Sequence, residues 1–325
     1  MSGTVILVTG AAGYIGSVLC RQLLERGFSV RGLDNLLFGG ESLVELAGHE
    51  RFEFIKADIR NQDRVQEALQ GVSAVVHLAA IVGDKACKLQ AEEATEIMDV
   101  ATRNIYHAAA NAGVKHFVFA STCSNYGIME GVSDPLLNED APLRPQSHYA
   151  RLKVQFEEYL LSQPVMPRTL LRFSTVYGLS PRVRFDLSVN HFTRDLSLGR
   201  PLLIFGADTW RPYCHVQDLA RSVVMVLEAG PESTNGKVFN VGDSEENYTK
   251  RSLVEEILKF TPNGEVEFQE RAGTDPRNYR IDFSRIRAEL GFEITRRVPD
   301  GVEEIHRLIH MGLLPDPDHP KYVNA

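Results

Sequence analysis

The first half of the chain alternates short apolar runs with longer segments whose apolar residues recur every three or four positions. Residues 5–8 and 74–80 are apolar without a two-residue period, which is typical of strands buried on both faces. Within residues 17–24, Val18, Leu19 and Leu23 fall on one side of a helix. This alternation predicts an α/β fold with a parallel, doubly wound sheet and right-handed crossovers.

The same rhythm continues to residue 178 and then changes. Further strands are predicted at 29–34, 52–58, 116–121 and 168–177, and long helices at about 94–112 and 147–162. Beyond residue 178 the segments shorten, Pro and Gly recur, and one apolar strand returns at 238–242. We therefore expect a first domain over 1–178, with a returning segment near 213–243, and a smaller C-terminal lobe over 179–325 that mostly binds substrate.

A glycine-rich turn joins the first predicted strand to the first predicted helix. Its members, Gly10, Gly13 and Gly16, have the spacing Gly-x-x-Gly-x-x-Gly. Such glycines allow a tight bend, close approach of the backbone to a pyrophosphate, and close packing of helix on strand. The free N–H groups at the start of the helix favour phosphate. A plain turn is the alternative, but the strand–turn–helix context favours a Rossmann domain that binds a dinucleotide.

Asp34, at the end of the second predicted strand, indicates which dinucleotide binds. A carboxylate there can accept both hydroxyls of the adenosine ribose and would repel a 2′-phosphate. Asn35 and Leu36 follow it, and neither Arg nor Lys stands beside it, so the sequence favours NAD over NADP. Asp58 and Ile59, at the end of the third predicted strand, are expected to meet the adenine edge.

Tyr149 and Lys153 lie four residues apart on a predicted helix and therefore share a face. A lysine one turn away can stabilise the phenolate and lower the pKa of the tyrosine. Tyr149 could then act as general base for a sugar hydroxyl, with the Thr122 hydroxyl guiding the proton. An ordinary tyrosine beside a surface lysine is the alternative, and the dinucleotide loop upstream favours the catalytic interpretation.

Composition and charge exclude several classes of protein. The 325 residues are 43% hydrophobic and 24% charged, which is ordinary for a globular protein, and the net charge of −8 argues against non-specific nucleic-acid binding. Without an apolar run of about 18 residues, and with a strand at the very start, we expect neither a membrane span nor a signal peptide. The four cysteines show neither paired nor metal-type spacing, which suggests reduced thiols in a cytoplasmic protein without a metal site. The basic residues that could meet an anionic substrate are Arg182, Arg184, Arg211, Arg277 and Arg280.

Taken together, the motifs resemble the extended short-chain dehydrogenases/reductases of the nucleotide-sugar epimerase and dehydratase type. The resemblance covers nearly the whole chain and rests on the glycine loop, 33–35, 77–80, 121–122 with 126–127, 149 with 153, 171–172 with 176–178, and 211–218. It implies tightly held NAD, a nucleoside diphosphate sugar as substrate, and a transient ketone, usually at C4 of the sugar. Tyr149, Lys153 and Thr122 would be the catalytic residues.

The motifs and the resemblance also imply two sets of binding residues. Those expected to contact NAD are Gly10, Gly13, Tyr14, Ile15, Gly16, Asp34, Asn35, Asp58, Ile59, Leu78, Ala79, Ala80, Tyr149 and Lys153. Those expected to contact the substrate are Thr122, Cys123, Ser124, Thr175, Asn190, Arg211 and Arg277. Guanidinium groups suit a diphosphate because they bind it through two parallel hydrogen bonds. A solvated surface charge is the alternative for each arginine.

Two departures from the family pattern bear on the reaction. The 4,6-dehydratases carry an Asp-Glu pair after the catalytic Thr, where this chain has Cys123 and Ser124, so protonation of a leaving hydroxyl would be harder. Cys123 is either a thiol acid or a small apolar filler. Thr175 stands where 4-epimerases commonly have Asn, which suggests an altered sugar pocket. His215 and Asp218 are expected to be structural.

We therefore expect an NAD-dependent nucleotide-sugar 4-epimerase that oxidises C4 transiently. The alternatives are a dehydratase or C4 dehydrogenase that yields a keto sugar, and a non-catalytic NAD-binding protein. The resemblance also implies a homodimer through the helices near 94–112 and 147–163, paired as a four-helix bundle.

Overall fold

The computed structural model describes residues 4–129, 136–163, 165–270 and 275–324. The strands are β1 (Val5–Thr9), β2 (Ser29–Asp34), β3 (Phe52–Lys56), β4 (Ala74–His77), β5 (His116–Thr122), β6 (Arg168–Phe173), β7 (Thr175–Tyr177), β8 (Leu202–Phe205), β9 (Trp210–His215), β10 (Val238–Val241), β11 (Asn247–Thr249) and β12 (Val266–Gln269). The α-helices are α1 (Tyr14–Glu25), α2 (Gln62–Ala68), α3 (Asp84–Leu89), α4 (Ala91–Thr95), α5 (Thr102–Asn111), α6 (His148–Ser162), α7 (Ser188–Ser197), α8 (Val216–Ala229), α9 (Pro231–Thr234), α10 (Lys250–Leu258), α11 (Ser284–Leu290) and α12 (Val298–His310). Short 3₁₀ turns cover Glu41–Leu46, Cys123–Tyr126 and Pro320–Tyr322.

The largest unit is a seven-stranded sheet with the order β10-β6-β5-β4-β1-β2-β3, in which every neighbouring pair is parallel. The strand order reverses direction between β1 and β4, and crevices at such a switch point bind ligands in open α/β sheets. The predicted doubly wound parallel sheet is confirmed.

Helices cover both faces of this sheet, because its strands are apolar on both sides. On one face α1 packs against α8, and Leu19, Leu23 and Val223 are fully buried there. On the other face Ile105 of α5 and Phe156 of α6 belong to a second buried cluster. The sheet therefore forms a rigid middle layer that holds the loops at its carboxyl edge.

The second half of the chain builds smaller sheets beside the large one. Their orders are β11-β9-β7 and β12-β8. A separate apolar cluster that includes Val189, Leu253 and Val302 joins α7, α10 and α12. Strand β10 lies beside β6 in the large sheet. A division into lobes near residue 178 stays a prediction.

Two predicted elements are not continuous in the structure. The strand expected over 168–177 is two strands in different sheets, because the Ser174 N–H and hydroxyl both donate to the Val241 carbonyl, at 3.3 and 2.7 Å, and end the large sheet there. The helix expected over 94–112 is interrupted by a π-helical turn at Glu96–Ala101. At its end the Thr102 hydroxyl donates to the Ile97 carbonyl at 2.8 Å and lies 3.1 Å from Nε2 of His77. No helix in the described ranges is long and apolar enough to cross a membrane.

Candidate active site

A cleft of about 530 Å³ runs along the carboxyl edge of the large sheet. Its walls contain the glycine-rich turn after β1, the end of β2, the turn after β4 and the end of β5, and they extend to residues of the second half of the chain. The volume lies in the range of small-molecule and cofactor sites. Parallel strands bring their carboxyl ends to one edge, so residues far apart in sequence meet here.

Each of the three glycines in the turn is required for a different steric reason. Gly10 has a φ of +73°, and a Cβ there would lie 2.9 Å from the backbone nitrogen of Ala79. A Cβ on Gly16 would overlap the carbonyl oxygen of Gly10, so helix α1 can approach β1 only through glycine. Gly13 faces the cleft, where a Cβ would meet only the Gly10 oxygen, at 3.1 Å. The bare backbone at Gly13 therefore fits a pyrophosphate that must come closer than a side chain would allow.

Asp34, the last residue of β2, places a fixed carboxylate beside this turn. It accepts hydrogen bonds from the N–H groups of Ala12, at 3.0 Å, and Leu36, at 2.8 Å. Leu36 has a φ of +61°, in the left-handed region that residues other than glycine seldom adopt. Burial raises the pKa of Asp34, and the two N–H groups oppose that rise. The carboxylate lines the cleft and can accept hydrogen bonds from a ribose.

The other residues predicted to contact NAD lie along the same wall. Tyr14, Ile15, Asn35, Asp58, Ile59, Leu78, Ala79 and Ala80 all line the cleft. Asp58 is held by Arg60 through two hydrogen bonds of 2.9 and 2.7 Å, which keep the pKa of Asp58 below its ordinary value. This wall of the cleft therefore extends from Asp34 to the turn after β4.

Tyr149, Lys153 and Thr122 come together in the cleft. Ser147 caps α6 by accepting the N–H of Ala150 at 3.2 Å, and the helix then presents Tyr149 and Lys153 from successive turns. The Lys153 ammonium donates to the carbonyl oxygen of Ala120 at 2.7 Å and lies 5.8 Å from the centre of the Tyr149 ring. Thr122 Oγ1, at the end of β5, accepts the N–H of Ser124 at 3.1 Å.

Burial dominates the titration of this group. It raises the pKa of Tyr149, which Cys87 and Asp84 raise further and Arg184 and Arg277 oppose. Burial also lowers the pKa of Lys153 to about 8. The expectation that Lys153 leaves Tyr149 with a lowered pKa is therefore wrong for the protein without ligands. Desolvation raises the pKa of the phenol by more than the nearby cations lower it.

The cleft beyond Tyr149 is lined by residues predicted to contact substrate. Thr122, Ser124, Thr175, Arg211 and Arg277 all lie there. Arg277 donates to Ser124 Oγ at 3.1 Å, and it forms ion pairs with Asp84, at 2.7 Å, and Asp275, at 2.6 Å. Arg211 lies 2.9 Å from the same Asp275. One carboxylate therefore holds two guanidinium groups side by side.

Cys123 and Asn190 do not line the cleft. The 3₁₀ turn after β5 directs the Cys123 thiol into the core, where it donates to the Arg172 carbonyl at 3.2 Å, and burial raises its pKa. Asn190 accepts the N–H of Gly178 at 3.0 Å and donates to the Arg184 carbonyl at 2.9 Å. Both residues support the wall from behind, because all of their hydrogen bonds are to the protein interior.

His215 and Asp218 also lie outside the cleft wall. His215 Nε2 lies 2.9 Å from Glu304, and Asp218 accepts the backbone N–H groups of Thr295 and Arg296 at 2.9 and 3.0 Å. These contacts fasten the start of helix α8 to α12 and to the segment that precedes α12.

Several cleft residues were not assigned by sequence reasoning. They are Asp84, Asp186, Tyr213, Lys250, Asp275, Tyr279 and Asn324. Arg182 and Arg184, which the sequence suggested could meet an anionic substrate, also line the cleft, whereas Asp84, Asp275 and Asn324 follow no motif. Arg182 is only 7% exposed, and burial together with Arg184 lowers its pKa to about 10. In the part of the chain that the structure describes, we find no group of three or more His, Cys, Asp or Glu that could hold a metal ion.

Comparison with known proteins gives one consistent family. The sequence profile of the NAD dependent epimerase/dehydratase family matches residues 6–242. A UDP-glucose 4-epimerase of Mycolicibacterium smegmatis is 33% identical, covering 91% of this chain and 95% of its own, and a dTDP-glucose 4,6-dehydratase of Streptomyces griseus is 32% identical, covering 92% of each. The crystal structure of a Thermus thermophilus UDP-glucose 4-epimerase in complex with NAD has a TM-score of 0.81 at 26% identity, covering 94% of this chain and 99% of that one.

Proposed function

Because this chain belongs to the NAD dependent epimerase/dehydratase family, with NAD as its cofactor, we propose that it is a nucleotide-sugar 4-epimerase. The observation that carries the proposal is that Tyr149, Lys153 and Thr122 share one cleft with the glycine-rich turn and Asp34. When bound, NAD supplies a nicotinamide that can take a hydride from C4 of the sugar and return it to the opposite face.

Tyr149 would remove the proton of the C4 hydroxyl and later give it back. Burial raises the pKa of the Tyr149 phenol, so the surrounding groups must stabilise the phenolate as the proton moves. Lys153 acts from one helical turn away, and the guanidinium groups of Arg184 and Arg277 already oppose the raised pKa of Tyr149. Thr122, whose oxygen is held by the Ser124 N–H, would hydrogen-bond the same hydroxyl and guide its proton.

Arg211 and Arg277 would hold the diphosphate of the nucleotide. Burial tends to raise the pKa of Asp275, but Arg277 and Arg211 lower it overall, so this carboxylate stays ionised and orients both guanidinium groups. Lys250 lines the same region and donates to the Phe205 carbonyl at 2.7 Å. Such a cluster of donors suits an anion with several oxygen atoms.

The positions after Thr122 favour epimerisation over dehydration. A dehydratase needs an acid that protonates the leaving C6 hydroxyl. The Cys123 thiol is buried in the core with a raised pKa, and Ser124 is neutral and bonded to Arg277. Neither residue can supply that proton efficiently, so the transient ketone would be reduced again without loss of water.

We also propose that the chain forms a homodimer and works in the cytoplasm. Apolar side chains are exposed near α5 and on α6, with Val100 at 51% and Leu161 at 39%, where a second copy would cover them. All four cysteines are free and buried, which suits a reducing compartment. Light scattering that gives a monomer at micromolar concentration would contradict the dimer.

The proposed activity is tested with the purified protein and a panel of UDP-, dTDP-, GDP- and CDP-sugars. Products are followed by mass spectrometry and proton NMR. An isomer of unchanged mass supports the 4-epimerase and identifies its substrate. A loss of 18 mass units would instead indicate dehydration, and a loss of 2 would indicate net oxidation; either result would overturn the proposal.

A further inference from the structure

Asp84 is a carboxylate in the cleft wall that the proposed mechanism does not use. It follows Gly83, whose φ of +105° turns the chain after β4, and it is the first residue of α3. Its side chain is 36% exposed and lines the cleft. The residue is therefore accessible to a ligand in the cleft.

The other carboxylates that line the cleft are engaged by the protein itself. Their partners are the Ala12 and Leu36 amides for Asp34, Arg60 for Asp58, Arg184 for Asp186, and Arg211 with Arg277 for Asp275. Each of these carboxylates already accepts hydrogen bonds or ion pairs from the protein. A sugar hydroxyl would therefore have to compete with a protein donor to bind it.

Asp84 differs from these carboxylates because the protein uses little of its capacity to accept hydrogen bonds. Its Oδ2 lies 2.7 Å from Arg277, whereas Oδ1 is shielded from solvent and, within the described residues, has no hydrogen-bond partner. A carboxylate can accept about four hydrogen bonds, and leaving an oxygen unsatisfied is unfavourable. The terminal torsion of Asp is broad and two-fold, so a small rotation can present this free capacity to a ligand.

The position of Asp84 relative to Tyr149 shows which part of a ligand it would meet. Helix α3, which begins at Asp84, packs near Tyr149, because Cys87 and Tyr149 belong to one apolar cluster. Arg277 also links Asp84 Oδ2, at 2.7 Å, to Ser124 Oγ, at 3.1 Å. Tyr149 and Thr122, two residues before Ser124, would touch the hydroxyl that reacts, so this placement puts Asp84 beside the sugar ring rather than at the adenosine end of the cleft.

We propose that Asp84 is a specificity-determining residue that accepts a hydrogen bond from a sugar hydroxyl and rejects sugars that carry a carboxylate. The inference rests on the proposed function and narrows its substrate class to nucleotide sugars with an uncharged, hydroxyl-bearing ring. Asp84 would disfavour a sugar carboxylate, because two carboxylates a few ångströms apart repel each other. It would favour a sugar hydroxyl, because that donor would otherwise lack a partner. One residue therefore contributes both an attractive and a repulsive element of specificity.

The test compares UDP-glucose with UDP-glucuronic acid, which differ only at C6. The values of kcat/KM and of Kd are measured for the wild type, for Asp84→Asn and for Asp84→Glu. We expect the wild type to prefer UDP-glucose, and Asp84→Asn to shift the ratio of kcat/KM toward UDP-glucuronic acid by about tenfold or more. Asp84→Glu keeps the charge and is expected to retain the rejection of the uronate at a lower kcat.

Two controls separate this role from simpler ones. Glu92→Gln makes the same change of charge on an exposed residue of α4 outside the cleft and is expected to leave the ratio unchanged. Asp275→Asn also releases Arg277, but it leaves Asp84 in place. If the effect of Asp84→Asn came only from the release of Arg277, Asp275→Asn would shift the ratio equally, and the inference would be overturned.

The remaining outcomes are also decisive. A wild type that uses UDP-glucuronic acid as well as UDP-glucose, or an unchanged ratio in a folded Asp84→Asn protein, overturns the role of Asp84 and leaves the epimerase proposal standing. A wild type that neither binds nor converts UDP-glucose, UDP-glucuronic acid or any sugar of the broader panel contradicts the proposed function, and this inference with it.

Discussion

The ammonium of Lys153 lies 2.7 Å from the carbonyl oxygen of Ala120 and 5.8 Å from the centre of the Tyr149 ring. It is only 5% exposed and therefore carries its charge in a poorly solvated position. The contact with Ala120 fixes the amine near the tyrosine, whereas desolvation lowers the pKa of Lys153 to about 8. Function and stability make opposite demands on this side chain.

Lys153→Met should stabilise the protein while it removes activity. The native pKa of about 8 lies below the ordinary 10.5, so the buried charge destabilises the fold fully below pH 8, and the penalty fades as the pH rises toward 10.5. We expect the free energy of unfolding to rise by about 2 kcal/mol at pH 7, and less at pH 10. Denaturant titrations at both pH values measure this, with the exposed Lys115→Met as control. A loss of stability at pH 7 would contradict it.

Tyr149→Phe should lower turnover by about a thousandfold, because general base catalysis contributes roughly 10²–10⁴-fold. NAD binding should weaken far less, because the ring that lines the cleft is kept. Tyr159→Phe is the matched control: Tyr159 lies on the same helix with its ring 3.8 Å from the Arg103 guanidinium carbon, outside the cleft. Steady-state kinetics and NAD titration distinguish the two. Substantial turnover by Tyr149→Phe would exclude this residue as the base.

Gly13→Ala and Gly16→Ala should fail in different ways. A Cβ on Gly16 would overlap the Gly10 carbonyl, so we expect a loss of about 2–3 kcal/mol of stability. A Cβ on Gly13 would meet only the Gly10 oxygen, at 3.1 Å, so this variant should lose much less stability and bind NAD at least tenfold more weakly, because the methyl group occupies the path of the pyrophosphate. Thermal unfolding and NAD titration measure the contrast. Equal NAD affinity in Gly13→Ala and wild type would contradict the assignment of this turn.

Asp34→Asn should weaken the discrimination between NAD and NADP. The carboxylate repels a 2′-phosphate, and the amide does not, so we expect a preference of about a hundredfold for NAD to fall to about tenfold or less. Calorimetric titration of cofactor-free protein with each dinucleotide gives the dissociation constants of NAD and NADP. Asp63→Asn on the exposed face of α2 serves as control. A wild type that binds NADP as tightly as NAD would refute the role of Asp34.

Glu157→Gln should destabilise the fold strongly. Glu157 and Arg172 form a buried ion pair of 2.7 Å beneath the end of β5, and the Asn125 amide donates to the same carboxylate at 2.9 Å. Removing one partner leaves a buried charge unpaired, which costs about 3 kcal/mol. Urea unfolding measures the loss, and the exposed neighbour Glu158→Gln should lose less than about 0.5 kcal/mol. Equal stability of the two variants would show that the pair contributes nothing.

Local patterns were sufficient for much of this protein. The apolar runs predicted β1, β4 and β5 within a few residues, because strands buried on both faces carry the same signal wherever they stand. The glycine spacing, Asp34, and the Tyr149 and Lys153 pair could be identified because each depends on neighbours only a few positions away. The turn of the chain at Ser174, which splits one predicted strand into two sheets, depends on the distant Val241 carbonyl and had no local signal.

The sequence by itself determined the α/β fold class, the glycine-rich turn and the candidate catalytic residues, since these follow from periodicity and spacing along the chain. Only the tertiary structure decided that Cys123 faces the core, that the pKa of Tyr149 is raised, and that Arg277 joins Asp84 to Asp275. The physical reason is the same in each case. Desolvation and charge pairing depend on which distant segments pack together, and Asp84 and Arg277 are 193 residues apart.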